Sequence, residues 1–174
     1  MTSLHLGGGL ADRSRWTPRE CSIAKAMEAV GNRSAMLLIR EAFYGTTRFD
    51  DFATRVGITQ ASAAARLKQL TELGIFARRP YQEPGQRTRY EYVLTPMGEA
   101  LLPVAVALMK WGDEYLQDGK GGPVELLEES TDEPVDVAVR GASGRELSVD
   151  DITLRPGARY RRPRPESADP QPEG

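Results

Sequence analysis

The stretch ITQASAAARLKQLTELG, residues 58–74, decides the fold of this chain. Thr59 is a favourable N-cap residue and Gly74 a favourable terminator, so the sequence predicts a helix that Thr59 opens and that runs to Leu73. Helical spacing predicts a buried face made of Ala63, Leu67, Leu70 and Gly74. The outward face has no bulky apolar side chain; it consists of Gln60, Ala61, Ser62, Ala64, Ala65 and Lys68. Such a helix can approach another molecule closely.

Three helices are predicted before this stretch. The residues Thr17-Pro18-Arg19-Glu20 can form a capping box and open the first helix, which has Ile23, Met27 and Val30 on one face. The second helix is predicted over residues 33–43. The third covers about residues 49–56, and Gly57 ends it.

A hairpin and a long helix are predicted after the stretch. Residues 75–81 and 87–94 have the composition of strands, and Glu83-Pro84-Gly85-Gln86 has turn composition. Thr95-Pro96 then begins a helix to about Gln117, which Pro103 bends unless it lies near the first turns. A heptad seam runs along this helix through Leu101, Val104, Leu108, Trp111 and Tyr115.

The ends of the chain differ from this middle part. We expect residues 1–16 to be flexible, residues 124–155 to form a small β-rich extension after a glycine-rich linker, and residues 156–174 to be disordered. The expected fold class is therefore mainly helical with a small β-hairpin, followed by that extension.

Composition excludes several classes of function. The chain has one cysteine and one histidine, which rules out an intrachain disulfide and a multi-cysteine zinc site and argues against a catalytic triad. The sequence has no paired catalytic residues, no phosphate-binding loop and no metal-ligand spacing, so we expect neither an enzyme nor a cofactor. No run of 18 apolar residues and no signal peptide are found, so we expect a cytoplasmic protein that makes no membrane contact.

Charge is distributed unevenly along the chain. The net charge is −2, but residues 32–95 carry ten basic and six acidic side chains, whereas residues 96–155 carry five basic and thirteen acidic ones. Four arginines, Arg78, Arg79, Arg87 and Arg89, fall in the predicted hairpin. A basic middle part indicates a polyanionic partner.

The order of helices followed by a basic hairpin is typical of a winged helix-turn-helix. A helix fits the major groove of B-DNA, and arginines on a hairpin reach the backbone or the minor groove. We predict that helix 59–73 reads the groove and that hairpin 75–94 contacts the backbone or minor groove. The predicted DNA-binding residues are Arg48, Thr59, Gln60, Ala61, Ser62, Arg66, Lys68, Arg79, Arg87 and Arg89.

Two of these assignments have alternatives, and so does the function. Arg66 either contacts DNA or makes an internal ion pair, and Arg48 either contacts a phosphate or is simply solvated. The alternative function is a winged-helix protein-interaction module that no longer binds DNA. It is favoured if Glu83, Glu91 or the acidic extension neutralises the hairpin arginines.

An ordered set of segments resembles the HxlR-type regulators over about residues 21–112. The segments are Cys21-Ser22-Ile23, Val30-Gly31-Asn32, Arg48-Phe49-Asp50-Asp51-Phe52, Ile58-Thr59-Gln60, Arg66 to Leu70, Leu73-Gly74-Ile75, Arg89 to Thr95, Gly98, Leu101-Leu102-Pro103 and Trp111-Gly112. The resemblance implies a dimeric winged-helix transcription factor whose first and last helices form the dimer, and we expect this regulator to be a repressor.

The resemblance and the heptad seam together predict the dimer interface. Its residues are Ile23, Met27, Leu101, Val104, Leu108, Trp111 and Tyr115. We expect a near-palindromic operator, and the apolar space between the dimer helices is a candidate site for a small-molecule effector. Some relatives sense oxidants with a cysteine that matches Cys21, while the alternative is a structural role. The extension loosely resembles a zinc-ribbon module with Thr131, Arg140 and Ser143 in place of cysteines, so no metal is expected.

Overall fold

The helices and the hairpin follow one another in the predicted order. A computed structural model of the protein describes residues 3–12 and 21–157. The elements are β1 (His5–Leu6), α1 (Ser22–Val30), α2 (Arg33–Phe43), α3 (Phe49–Val56), α4 (Gln60–Glu72), β2 (Phe76–Tyr81), β3 (Arg89–Leu94), α5 (Pro96–Glu99), α6 (Leu102–Leu116) and β4 (Thr153–Leu154). The predicted fold class, mainly helical with a small antiparallel sheet, is confirmed. The capping box at residues 17–20 lies outside the described residues, as does most of the tail 156–174.

The core lies where α2, α3 and α4 meet β2. The predicted inner face of α4 is buried, with Ala63, Leu67 and Leu70 all 0% exposed. Phe52 of α3 packs edge-to-face against Phe76 and Tyr92 of the hairpin, with ring centroids 5.8 and 6.4 Å apart. Such aromatic pairs add to the stabilisation from burial. The hairpin is therefore held against the helices from its base.

The expectation of one continuous helix from Thr95 is wrong, because the segment forms two helices, α5 and α6, whereas Pro103 lies in a first turn, which is one of its two predicted placements. Pro103 has no N–H and its ring would clash with the carbonyl of residue 99, which disfavours a continuous helix through it. It is accommodated in the first turn of α6. Gly98 of α5 also lies so close to the hairpin that a Cβ there would collide with the backbone oxygen of Ile75.

The chain divides into two compact units, one within residues 19–137 and one within residues 1–18 and 138–174. In the first unit, the part of the predicted β-rich extension before residue 138 has one isolated bridge, between Leu127 and Pro134. In the second, His5 and Leu6 pair in parallel with Thr153 and Leu154. The sequence analysis did not predict this N-terminal strand, because two residues are too short for a periodic signal.

Candidate nucleic-acid interface

The turn at residues 57–59 joins α3 to α4. Gly57 has φ of 69°, in the left-handed region that favours glycine. The N–H groups of Gly57 and Ile58 both donate to the carbonyl of Ala53, each at 3.1 Å. Thr59 Oγ1 accepts from the N–H of Ser62 at 3.1 Å, which caps α4 as predicted. We refer to α3, this turn and α4 as the helix-turn-helix.

The outward face of α4 is exposed from its first turn onward. Thr59, Gln60, Ala61, Ser62 and Lys68 are all exposed. The Thr59 hydroxyl donates to Ser62 Oγ at 2.9 Å, so the two hydroxyls are hydrogen-bonded to each other. The Gln60 amide makes no hydrogen bond to any other described residue. It is therefore the polar group in this turn that is best placed to pair with a base edge.

The two cations of α4 differ in their surroundings. Arg66 is half-buried and donates through Nη1 to the Gln69 side chain, so the internal contact that it makes is with a neutral amide and not with an acid. Lys68 lies 3.8 Å from Glu72 on the exposed face. An exposed pair of this kind holds its partners weakly. No strong internal ion pair therefore neutralises Arg66 or Lys68, and both side chains can attract a phosphate.

The β2–β3 hairpin, called the wing below, carries arginines of two kinds. Arg79 Nε donates to Glu91 Oε1 at 2.7 Å, and Arg78 stacks on the Tyr90 ring with its guanidinium carbon 4.1 Å from the centroid. Arg87 and Arg89 make no hydrogen bond, ion pair or ring contact within the described part of the chain. The wing therefore has two occupied arginines and two that are open to a ligand.

The acid that holds Arg79 is charged and largely shielded. The Glu91 side chain is 14% exposed. The hydrogen bond from Arg79 lowers the pKa of Glu91 below its usual value, against the effect of desolvation, and a hydrogen bond from Thr47 and the charge of Arg48 act with it. Glu91 therefore stays ionised at neutral pH and keeps Arg79 in place.

Arg48 points at the wing. Its guanidinium carbon lies 3.2 Å from the centroid of the Tyr81 ring, and its buried Nη1 has no hydrogen-bond acceptor within the described residues. The sequence analysis did not consider this ring contact, and the phosphate contact of Arg48 stays a prediction. The sequence analysis missed Tyr81 and Thr47. The strand register could have identified Tyr81, because it pairs this residue with Arg89 and so places it among the basic residues of the wing.

The predicted dimer residues lie on α1 and α6, except for Leu101, which directly precedes α6. Ile23 is 75% exposed, Leu108 54% and Trp111 55%, which is unusual for large apolar side chains. Met27, Val104 and Tyr115 are exposed as well, whereas Leu101 is half-buried against the core. Trp111 and Tyr115 contact each other, with ring centroids 5.8 Å apart. The seam therefore forms an apolar surface on a single chain.

A groove of about 490 Å³ runs between α2 and α6. Its walls are apolar apart from Arg40, and they include Leu37, Phe43, Tyr44, Ala105, Val106 and Leu108. Leu108 belongs both to this groove and to the exposed seam of α6. Within the described residues there is no group of three side chains suited to hold a metal ion. Nor does that part of the chain contain a helix of the length and apolarity needed to span a bilayer.

Comparisons with known proteins agree with this geometry. The sequence matches the HxlR-like helix-turn-helix family over residues 29–120. It is 38% identical over 141 residues to MT3179, an HTH-type transcriptional regulator of Mycobacterium tuberculosis, which covers 80% of this chain and 88% of that protein. Among solved structures, it resembles PA1607, described as a transcription factor, at 34% identity and a TM-score of 0.71, covering 78% of this chain and 94% of the other. PA1374 of Pseudomonas aeruginosa matches at 34% identity and a TM-score of 0.56, covering 79% and 93%.

Proposed function

Because the chain belongs to the HxlR-like helix-turn-helix family of DNA-binding transcriptional regulators, we propose that it works as a homodimer that represses transcription from a near-palindromic operator. The observation that carries this proposal is the two-sided character of α4. Its inner face is fully buried at Ala63, Leu67 and Leu70, and its outer face is exposed and free of bulky side chains. One face of α4 thus fixes the helix to the core, and the other face is free to enter the major groove of DNA.

We assign base reading to the start of α4. Gln60 pairs with an adenine edge through its amide, and the methyl group of Ala61 packs against a thymine methyl. Thr59 and Ser62 lie at the N-terminus of α4, where backbone N–H groups and the helix dipole attract a phosphate. Arg66 and Lys68 add positive charge farther along the helix. In this assignment, Gln60 and Ala61 give sequence preference, and the other residues named here give affinity.

The wing supplies contacts that do not depend on sequence. Arg87 and Arg89 have no internal partner among the described residues, so they are the arginines that we assign to the backbone or the minor groove. Arg79 contributes less, because Glu91 already neutralises it at 2.7 Å. The alternative of a protein-interaction module requires neutralised wing arginines. Two open arginines favour DNA as the partner.

The exposed apolar seam supports dimerisation. Large apolar side chains at this exposure mark a surface that another molecule covers. Heptad spacing on α6 suits a second copy of the same helix, and Ile23 and Met27 of α1 extend the surface. We assign residues 17–118 to the DNA-binding and dimerisation domain. A dimer of this kind spaces two α4 helices about one DNA turn, ~34 Å, apart.

Repression follows from the size of that complex. A dimer over two half-sites covers about two turns of DNA and excludes polymerase wherever the operator overlaps a promoter. We place this action in the cytoplasm, at the nucleoid. Footprinting on genomic DNA, followed by deletion of the gene, tests it: transcription beside the bound sites should rise. A fall in transcription would identify an activator, and an absence of bound sites would overturn the proposal.

The groove between α2 and α6 is the site that we assign to a non-covalent effector. Its volume of about 490 Å³ lies in the range of small-molecule sites. Since Leu108 lines the groove and belongs to the seam, a bound molecule changes the shape of the dimer surface. The dye 1-anilinonaphthalene-8-sulfonate, an aromatic anion, should gain fluorescence with the native protein and clearly less with Ala105→Trp, which fills the groove. Equal fluorescence from both proteins would contradict the assignment.

A further inference from the structure

Arg48 connects the helix-turn-helix to the wing. It stands at the N-cap position of α3, yet its side chain makes no capping hydrogen bond. Its guanidinium carbon lies instead 3.2 Å from the centroid of the Tyr81 ring, within the range of a cation–π contact. Tyr81 is the last residue of β2 before the wing turn. Arg48 therefore contacts the wing at the outer end of its strand ladder.

Thr47 makes the same connection from the neighbouring position. Its carbonyl accepts from the N–H of Tyr92 at 2.8 Å, next to Glu91 on β3. Glu91 in turn binds Arg79 across the ladder. Thr47 thus contacts β3 and Arg48 contacts β2, so these two neighbouring residues together contact both strands of the wing.

The contact between Arg48 and Tyr81 lies at the outer end of the wing. Tyr81 and Arg89 are the last register pair, and the turn with Arg87 lies beyond them. An isolated two-stranded hairpin is marginally stable in water, so its outer end needs an external contact to keep one position. Arg48 supplies that contact from the N-cap position, directly before α3. The orientation of the open arginines relative to α4 then depends on Arg48 and Tyr81.

We propose that Arg48 is a positioning residue that holds the wing through Tyr81, and that it is not itself a DNA contact. The proposal rests on the proposed function in so far as the wing arginines bind DNA. A phosphate contact through Nη1 would require this nitrogen to leave its buried place beside the Tyr81 ring. In the arrangement observed, removal of Arg48 affects DNA only through Arg87 and Arg89.

DNA binding in two backgrounds separates the two roles. In the native background, Arg48→Ala should weaken operator binding by about 3- to 30-fold, the range expected for loss of a cation–π contact. Arg48→Lys should not restore it, because an ammonium does not reproduce planar stacking. In the Arg87→Ala/Arg89→Ala background, Arg48→Ala should change affinity less than about twofold. A further loss there, with a salt slope lower by about one, identifies a direct phosphate contact and overturns the proposal.

Hydrogen exchange without DNA gives an independent reading. Amide exchange over residues 76–94 should accelerate in Arg48→Ala and in Tyr81→Leu, and stay at the native rate in Tyr81→Phe, which keeps the ring. Arg55→Ala removes an exposed arginine of α3 with no internal partner among the described residues and is the matched control. Unchanged exchange in Arg48→Ala would overturn the positioning role even if DNA binding is confirmed. Accelerated exchange without any effect of Arg87→Ala/Arg89→Ala on DNA would instead contradict the proposed function.

Discussion

Arg79 and Glu91 lie directly opposite each other on the two strands of the wing, and Arg79 Nε donates to Glu91 Oε1 at 2.7 Å. Glu91 is shielded and its pKa is lowered, first of all by this hydrogen bond. An arginine held in this way is already neutralised before DNA arrives. The wing arginines are therefore not equivalent, although they are alike in sequence.

This inequality predicts a graded response to alanine substitution. Arg87→Ala should lower DNA affinity for every sequence and reduce the salt slope by about one, because it removes an open phosphate contact. Arg79→Ala should change the slope by less, since its charge is already compensated. Binding isotherms at several salt concentrations measure both slopes. Equal slopes for the two variants would show that the Glu91 pair opens on DNA.

Sequence preference is expected to depend on Gln60. Gln60→Ala should cost roughly 1–3 kcal/mol at one base position and leave binding to unrelated DNA nearly unchanged. The reason is that its amide has no internal partner among the described residues, whereas the hydroxyls of Thr59 and Ser62 are engaged with each other. Competition between the operator and its single-base variants measures the effect. A uniform loss on all sequences would instead assign Gln60 to the phosphate backbone.

The dimer surface is tested on α6. Leu108→Asp places a charge in the apolar seam, where Leu108 is 54% exposed on the single chain, so the variant should sediment as a monomer and lose operator binding. Ala107→Asp introduces the same charge at an exposed neighbouring position outside the seam and is the control. It should sediment as the native protein does. A dimeric Leu108→Asp would place the interface elsewhere.

A pH effect is expected at Asp151, in the second compact unit. The backbone N–H of Ser148 is the main cause that lowers the pKa of Asp151 from 3.8 to about 2, and the Ser148 hydroxyl and Arg145 act with it. Because the folded pKa lies below the unfolded one, the stabilisation is fully present above about pH 4 and is lost as the pH falls through about 2. Carboxyl NMR shifts measured against pH should give a midpoint near 2. A midpoint near 3.8 would show that the capping contacts are not formed in solution.

The helix-turn-helix was predictable because its signals are local. Thr59 caps α4 through its own hydroxyl, Gly57 adopts a left-handed conformation that few other residues tolerate, and the buried face of α4 follows a regular spacing. The same reasoning failed at Leu101, where the heptad seam continues through a helix break that Pro103 imposes. A regular apolar spacing does not show whether the backbone hydrogen bonds are continuous.

The placement of single arginines was not predictable from the sequence. Arg48 and Tyr81 are far apart in the chain, and their contact depends on the wing folding back over the start of α3. The choice between Glu83 and Glu91 as partner for the wing arginines likewise depends on strand register, which sets Glu91 opposite Arg79. The sequence analysis therefore did not find the contact between Arg48 and Tyr81.

Selection of bound sequences from a random DNA pool tests the central claim most directly. With two α4 helices related by a dimer axis, the enriched sequences should share an inverted repeat whose half-site centres lie about 10 base pairs apart. Leu108→Asp, run in parallel, should enrich no such repeat. A single unrepeated half-site, or half-sites without fixed spacing, would contradict the account of a dimer that reads DNA through paired α4 helices.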